Sequence, residues 1–316
     1  MRKESYLSLL PQADNREYDF PAPLREFWKE RMPDYWRKLF EEFAMIEPFL
    51  GLHSLVNLGI HAALVEWYLD KARDSVPKDK ARLLRGMVWG HLFHDLGKVM
   101  MPVGKVDDLQ RVIENSGDCC EFSRVELEIL RKQHPWLGGY GLLFLESIIG
   151  RVPGIEWGEE WAKLVFGHHE KLDGLPVKSY PRGMTRETDP WMLLTLLFAQ
   201  LADGLSANVL DRPYREINLI TGRRNLGPEE TLRWLEMLLD GSILKKIFGD
   251  VEEERLDRFR NDLLGFLTDL EVELETRFSS EVCLNGVLRF NDGGGGLIAR
   301  LREIVVNRGV VRDYLK

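Results

Sequence analysis

The longest apolar run in the chain extends from Trp191 to Ala202 and is interrupted at Gln200. A membrane-crossing helix needs about 20 such residues. The run therefore predicts a helix over 189–210 buried inside a folded body. At its end, Ala202-Asp203 sets a carboxylate among Leu201, Ala202 and Leu205. An unpaired buried charge is very costly, so Asp203 requires a partner, and a metal ion or an arginine are the two candidates.

Helical periodicity dominates the remainder. Residues 1–23 are polar and proline-punctuated, ending in Pro21-Ala22-Pro23, and read as an extended arm laid on the surface. A helix over 24–44 follows, with Phe27, Trp28, Tyr35, Trp36, Phe40 and Phe43 as core contacts and Pro33 as a breaker. Further helices are predicted at 53–72, 79–98, 122–133, 136–149 and 159–169, separated by Pro- and Gly-bearing turns. Beyond Asp211-Arg212-Pro213 come helices at 228–240, 251–278 and 297–306. The second carries Leu256, Phe259, Leu263, Leu264, Leu267 and Leu270 at helical intervals. Asn285-Gly286, flanked by apolar residues, is a short-hairpin signal. The fold class is all-α: a helical body over 24–212, with a helical appendage over 213–316 that includes a short β-hairpin.

With 316 residues, 44% of them hydrophobic, the chain has ample material for a core, which excludes general disorder. Lys plus Arg is 43 and Asp plus Glu is 51, so the net charge is 43 − 51 = −8. An acidic balance argues against general nucleic-acid binding but leaves room for a small phosphorylated ligand held by local cations. Cys119, Cys120 and Cys283 are odd in number and lack C-x-x-C spacing, which points to a reducing compartment. The expected location is the cytoplasm, with no membrane partner.

All seven histidines, His53, His61, His91, His94, His134, His168 and His169, fall within 53–169. Neutral imidazole is a frequent metal ligand. His94-Asp95 projects two ligating groups from one helical turn, and Lys98 lies one turn further on. His168-His169 diverge at a predicted helix end, and His134-Pro135 sits at a predicted helix start. Each pair has an ordinary structural reading as well, in capping or in favourable contact with a helix dipole.

The order of these residues resembles the HD superfamily of metal-dependent phosphohydrolases, and within it the HD-GYP cyclic-dinucleotide phosphodiesterases. The strings that carry the resemblance are H-D-x-G-K at His94 to Lys98, H-P-x-x-G at His134 to Gly138 and H-H-E-x-x-D-G at His168 to Gly174. A-D-x-x-x-A at Ala202 to Ala207 and the run Asp211-Arg212-Pro213-Tyr214-Arg215 complete them. Together they cover about half of the chain, residues 50–216. The resemblance implies two divalent metals, iron or manganese by preference, with nickel or zinc as further candidates. It implies that His61, His94, Asp95 and Asp203 hold one and that Asp95, His134, His168 and His169 hold the other. Lys98 would touch the scissile phosphate, and Arg212 and Arg215 would receive ligand phosphates. His53 and His91 have no counterpart and read as structural.

The sequence departs from the pattern at one triplet and two single positions. Leu175-Pro176-Val177 replaces the G-Y-P triplet, Ser206 stands where a second aspartate is expected, and Asn57 stands where some relatives carry a third-metal carboxylate. The leading expectation is a hydrolase, with Asp95 and Lys98 as catalytic residues. It would cleave a phosphoester of a small ligand, a nucleotide or cyclic dinucleotide, with water activated by two cations. The alternatives are a metal-containing signalling or ligand-binding protein with little turnover, and an HD-type single-strand nuclease. The amphipathic C-terminal helices read as a second small core or a homodimer surface.

Overall fold

A computed structural model describes residues 6–14, 17–46, 48–72, 75–100, 124–149, 158–169, 172, 189–209, 241–249, 251–277 and 287–288. After a helical turn at 6–7 come two short strands, β1 (Gln12–Asp14) and β2 (Glu17–Asp19). Ten α-helices follow among the described residues: α1 (Ala22–Glu30), α2 (Asp34–Ile46), α3 (Pro48–Ala72), α4 (Lys78–Met87), α5 (Leu96–Val99), α6 (Arg124–Ile149), α7 (Gly158–Gly167), α8 (Pro190–Val209), α9 (Gly241–Phe248) and α10 (Glu253–Arg277). A 3₁₀ segment, Val88–Phe93, lies between α4 and α5. Among the described residues the fold is all-α apart from three strands of two or three residues. β3 (Val287–Leu288) pairs in parallel with β2, which is antiparallel to β1. None of the described helices is long and apolar enough to cross a membrane.

Two helices that are apolar around their whole circumference form the centre, because such helices must be covered on every side. These are α3, buried continuously from Leu50 to Val65, and α8, buried from Met192 to Ala202. They pack against each other; α2 and the 3₁₀ segment close around α3, and α10 packs on α8 and meets α3 at Trp67. Pro33 separates α1 from α2 as its missing N–H dictates. Trp36, fully buried, packs against Phe93 and Trp161 with ring centroids 5.3 and 5.2 Å apart.

Several sequence expectations are corrected. The segment 79–98 is not one helix: α4 tightens into the 3₁₀ segment, and a turn at His94-Asp95 precedes α5. The segments 122–133 and 136–149 join as α6, with Pro135 inside the helix rather than at its start. The N-terminal arm is not merely laid on the surface: Leu10 is fully buried, and Tyr6, Leu9 and Phe20 are nearly so. It crosses α3 at Gly59, where a Cβ would stand 2.7 Å from the Leu9 carbonyl oxygen. Tyr6 donates its hydroxyl to Asp70 at 2.7 Å, and Arg277 donates to the carbonyls of Leu10 and Pro11 at 2.9 and 3.4 Å.

The described C-terminal helices belong to the same hydrophobic cluster as the body. On α10, Leu256, Leu263, Leu267 and Leu270 are buried as predicted, together with Phe266 and Leu274. Phe266 stacks on Trp67 of α3 at 5.4 Å. The helices predicted at 228–240 and 297–306 and the Asn285-Gly286 turn lie outside the described residues, and α9 was not anticipated.

Candidate metal centre

Five elements bring polar side chains into the apolar centre. α3 contributes His53 and Asn57, one turn apart on one face. The turn before α5 contributes His94 and Asp95, and α6 contributes His134. The turn after α7 contributes His168 and His169, and α8 contributes Asp203. All except His169 and Asp203 are buried; those two side chains are 26% and 16% exposed and lie on the open side of the site.

Glycine makes this convergence sterically possible. A Cβ on Gly97 would stand 1.8 Å from the His134 carbonyl oxygen and 2.7 Å from the Gly138 nitrogen. Thus the glycine of the H-D-x-G-K string and that of the H-P-x-x-G string are one contact, at which α5 meets α6 backbone to backbone. This close approach brings Asp95 Oδ1 within 3.2 Å of His134 Nε2.

Among the described residues, two groups have the donor types and spacing to hold a metal ion: His53, His94 and Asp95, and His134, His168 and His169. Asp95 lies between them. Its Oδ2 faces His94 Nε2 at 3.6 Å and His53 Nε2 at 3.9 Å, while its Oδ1 faces His134. Asp203 Oδ1 approaches His53 Nε2 at 2.9 Å and His94 Nε2 at 3.6 Å, and its Oδ2 is 3.8 Å from His169 Nδ1. The Nε2 atoms of His134 and His168 are 3.1 Å apart.

Two rings are aimed by the backbone. His94 Nδ1 donates to the His91 carbonyl at 2.7 Å, and His168 Nδ1 donates to the Val165 carbonyl at 2.6 Å. In each case the other nitrogen, Nε2, is directed into the site, the arrangement typical of ligating histidines. His53 Nδ1 is held by Ser206 Oγ at 2.9 Å.

The electrostatics favour anionic carboxylates beside neutral imidazoles. Burial pushes the Asp95 carboxyl up, but Lys98, His94 and His134 outweigh it and hold it well below the usual range. Asp203 is likewise held low: its hydrogen bonds to His53 and His94 overcome its burial. Burial pulls His168 well below the ordinary histidine value, helped by the neighbouring His169 and His134, and pulls His169 down to about 3 against the opposing charge of Asp203. His94 goes the other way, because the Asp95 charge and the Asp203 hydrogen bond outweigh its burial.

Of the residues singled out in the sequence, the structure assembles His94, Asp95, His134, His168, His169 and Asp203. Lys98 joins them at the rim, 18% exposed, with Nζ 2.6 Å from Asp95 Oδ2. His61 is not in either group. It lies fully buried two turns beyond His53, its ring 4.9 Å from that of His91, and all four nitrogens of this pair lack a hydrogen-bond partner. His53, read from the sequence as structural, is the α3 histidine that meets His94, Asp95 and Asp203. The signal that could have identified it is the pair of departures at Asn57 and Ser206, two of the side chains that touch His53. Arg212 and Arg215 lie outside the described residues. No family model, curated protein or solved structure matches the chain.

Proposed function

We propose that the protein is a metal-dependent phosphohydrolase of the HD superfamily, cleaving a phosphoester bond of a small phosphorylated ligand, with a nucleotide or cyclic dinucleotide as the favoured class. The observation that carries this reading is the buried Asp95 carboxylate, which turns one oxygen toward each of two imidazole groups. A cation bound by nitrogen and oxygen at about 2.0–2.2 Å holds its donors roughly 3–3.5 Å apart. The separations of 3.1–3.6 Å among His134, His168, Asp95, His94 and Asp203 fit that requirement.

In this reading His53, His94, Asp95 and Asp203 hold one divalent metal, and Asp95, His134, His168 and His169 hold the other. Mixed imidazole and carboxylate donors favour iron or manganese over magnesium, with nickel or zinc as further candidates. Bound together, two such cations supply water activation and charge stabilisation for an in-line displacement at phosphorus. The chain's own residues orient and neutralise. Asp95 fixes the distance between the two sets of donors. Lys98, at the rim, offers an ammonium to a phosphate oxygen. Arg212 and Arg215 are assigned to further phosphates on the strength of the motif alone.

The test is anaerobic purification with metal analysis, followed directly by a panel of cyclic dinucleotides, nucleoside phosphates and p-nitrophenyl phosphate esters under added Mn²⁺ or Fe²⁺. Hydrolysis that is abolished in Asp95→Ala, with metal content measured on the variant, supports the reading. Protein that retains less than about one transition metal per chain counts against it, and tight ligand binding without turnover favours a signalling role.

A further inference from the structure

We propose that Asn57 is itself a ligand of the first metal, its side-chain oxygen completing the set of His53, His94, Asp95 and Asp203. This inference rests on the metal-centre reading above and adds a donor beyond the ligand set that the resemblance implies.

Three atoms of the kind that bind cations surround one amide nitrogen. Asn57 Nδ2 is 3.2 Å from His94 Nε2, 3.3 Å from His53 Nε2 and 3.5 Å from Asp203 Oδ1. His94 Nδ1 is already committed as a donor to the His91 carbonyl, so in the neutral ring that a metal requires the lone pair is on Nε2, the atom facing that amide. The N–H bonds of Asn57 thus supply the positive end of a dipole at the point where these donors converge. A hydrogen-bond donor is standing where a cation would be attracted.

The other end of the same side chain is the second observation. Asn57 is fully buried, and its Oδ1 has no hydrogen-bond partner. Leaving a buried carbonyl oxygen unsatisfied is costly, so the amide has a reason to turn once another positive charge is present. A half-turn about the Cβ–Cγ bond exchanges two ends of nearly equal size. With a cation at the convergence point, N–H groups would direct positive ends at positive charge, whereas Oδ1 would direct a lone pair at it. The exchange therefore relieves a repulsion and satisfies the orphaned oxygen in one movement.

The choice of an amide has a charge consequence. Asp95 and Asp203 are the carboxylates facing the first site, and Asn57 adds a donor there without adding charge. An aspartate at this position would add a further negative charge and would bind cations more tightly.

The experiment uses metal-stripped, full-length protein titrated with Co²⁺, followed by its visible d–d absorption, for wild type, Asn57→Leu and Asn57→Asp. Far-ultraviolet circular dichroism of the metal-free variants establishes folding, and Asn57→Ala repeats the comparison should leucine fail to fit. A ligand role predicts Co²⁺ affinity at the first site at least about tenfold weaker in the leucine and alanine variants. It also predicts undiminished affinity, with an altered spectrum, in Asn57→Asp. An amide that merely occupies the empty site would compete with the metal, so unchanged or tighter Co²⁺ binding by the leucine or alanine variant overturns the proposal. Wild-type protein that takes up no Co²⁺ overturns the metal-centre reading itself, a result separable from any effect at position 57.

Discussion

His53 and His61 differ by eight positions on one helix, yet only the first reaches the carboxylates. This offset yields a direct comparison. His53→Ala is expected to lower bound metal from about two ions per chain toward one, measured by elemental analysis of the folded variant. His61→Leu is expected to keep both ions. It replaces two buried nitrogens without hydrogen-bond partners by an apolar side chain, and is expected to leave stability unchanged or to raise it by about 1–3 kcal/mol in urea unfolding. His61 also gives the metal-free protein a defined pH response. Burial lowers its value to about 3 in the folded chain, against about 6.5 when unfolded. Between these values the unfolded state binds a proton that the folded state refuses. The stabilising contribution is complete above about pH 6.5 and is lost as the pH falls toward 3. Over that window the wild-type stability curve is expected to be steeper than that of His61→Leu, by up to about 1.4 kcal/mol per pH unit.

Elements were legible from sequence where the chemistry that starts or stops them is local. Pro33 divides α1 from α2, and the Trp191–Ala202 run is the buried helix its composition demands. The break inside 79–98 was hidden, because His91, Leu92, Phe93 and His94 continue a helical apolar pattern. The turn is set by tertiary contact, with His94 bonding back to the His91 carbonyl and Gly97 pressed on α6. The same contact explains why the motif histidines fall into the two groups while the α3 histidine among them is His53 and not His61. The strings around His94, His134 and His168 carry their own spacing. On α3, however, His53, Asn57 and His61 recur every four residues along one stripe, and only the height of the neighbouring turn decides which enters the site. Gly97→Ala would force a methyl group into the His134 carbonyl. It is expected to destabilise the protein by about 1–3 kcal/mol or more, and to lose metal by separating Asp95 from His134. Gly265→Ala, in α10 with open space around the added carbon, is the matched control, expected to stabilise by about 0.5–1 kcal/mol. Thermal unfolding with and without bound metal checks both.

For the whole molecule, the all-α class and the central position of α8 followed from sequence, whereas the burial of the arm did not. Its polar, proline-rich composition concealed Tyr6, Leu9 and Leu10, whose destination is a groove formed by α3 and α10, about 60 and 260 residues away. A metal bound only by the folded state adds stability by mass action, about 2.7 kcal/mol at a hundredfold excess over Kd. Chelator treatment is accordingly expected to lower the unfolding midpoint of wild-type protein, and to leave that of Asp95→Ala nearly unchanged.

The grip of Arg277 on the carbonyls of Leu10 and Pro11 spans 267 and 266 positions of sequence. That clasp can therefore close only after Arg277 has left the ribosome. Until then Tyr6, Leu9 and Leu10 have α3 alone to lean on, and the second wall of their groove is among the late contacts to form.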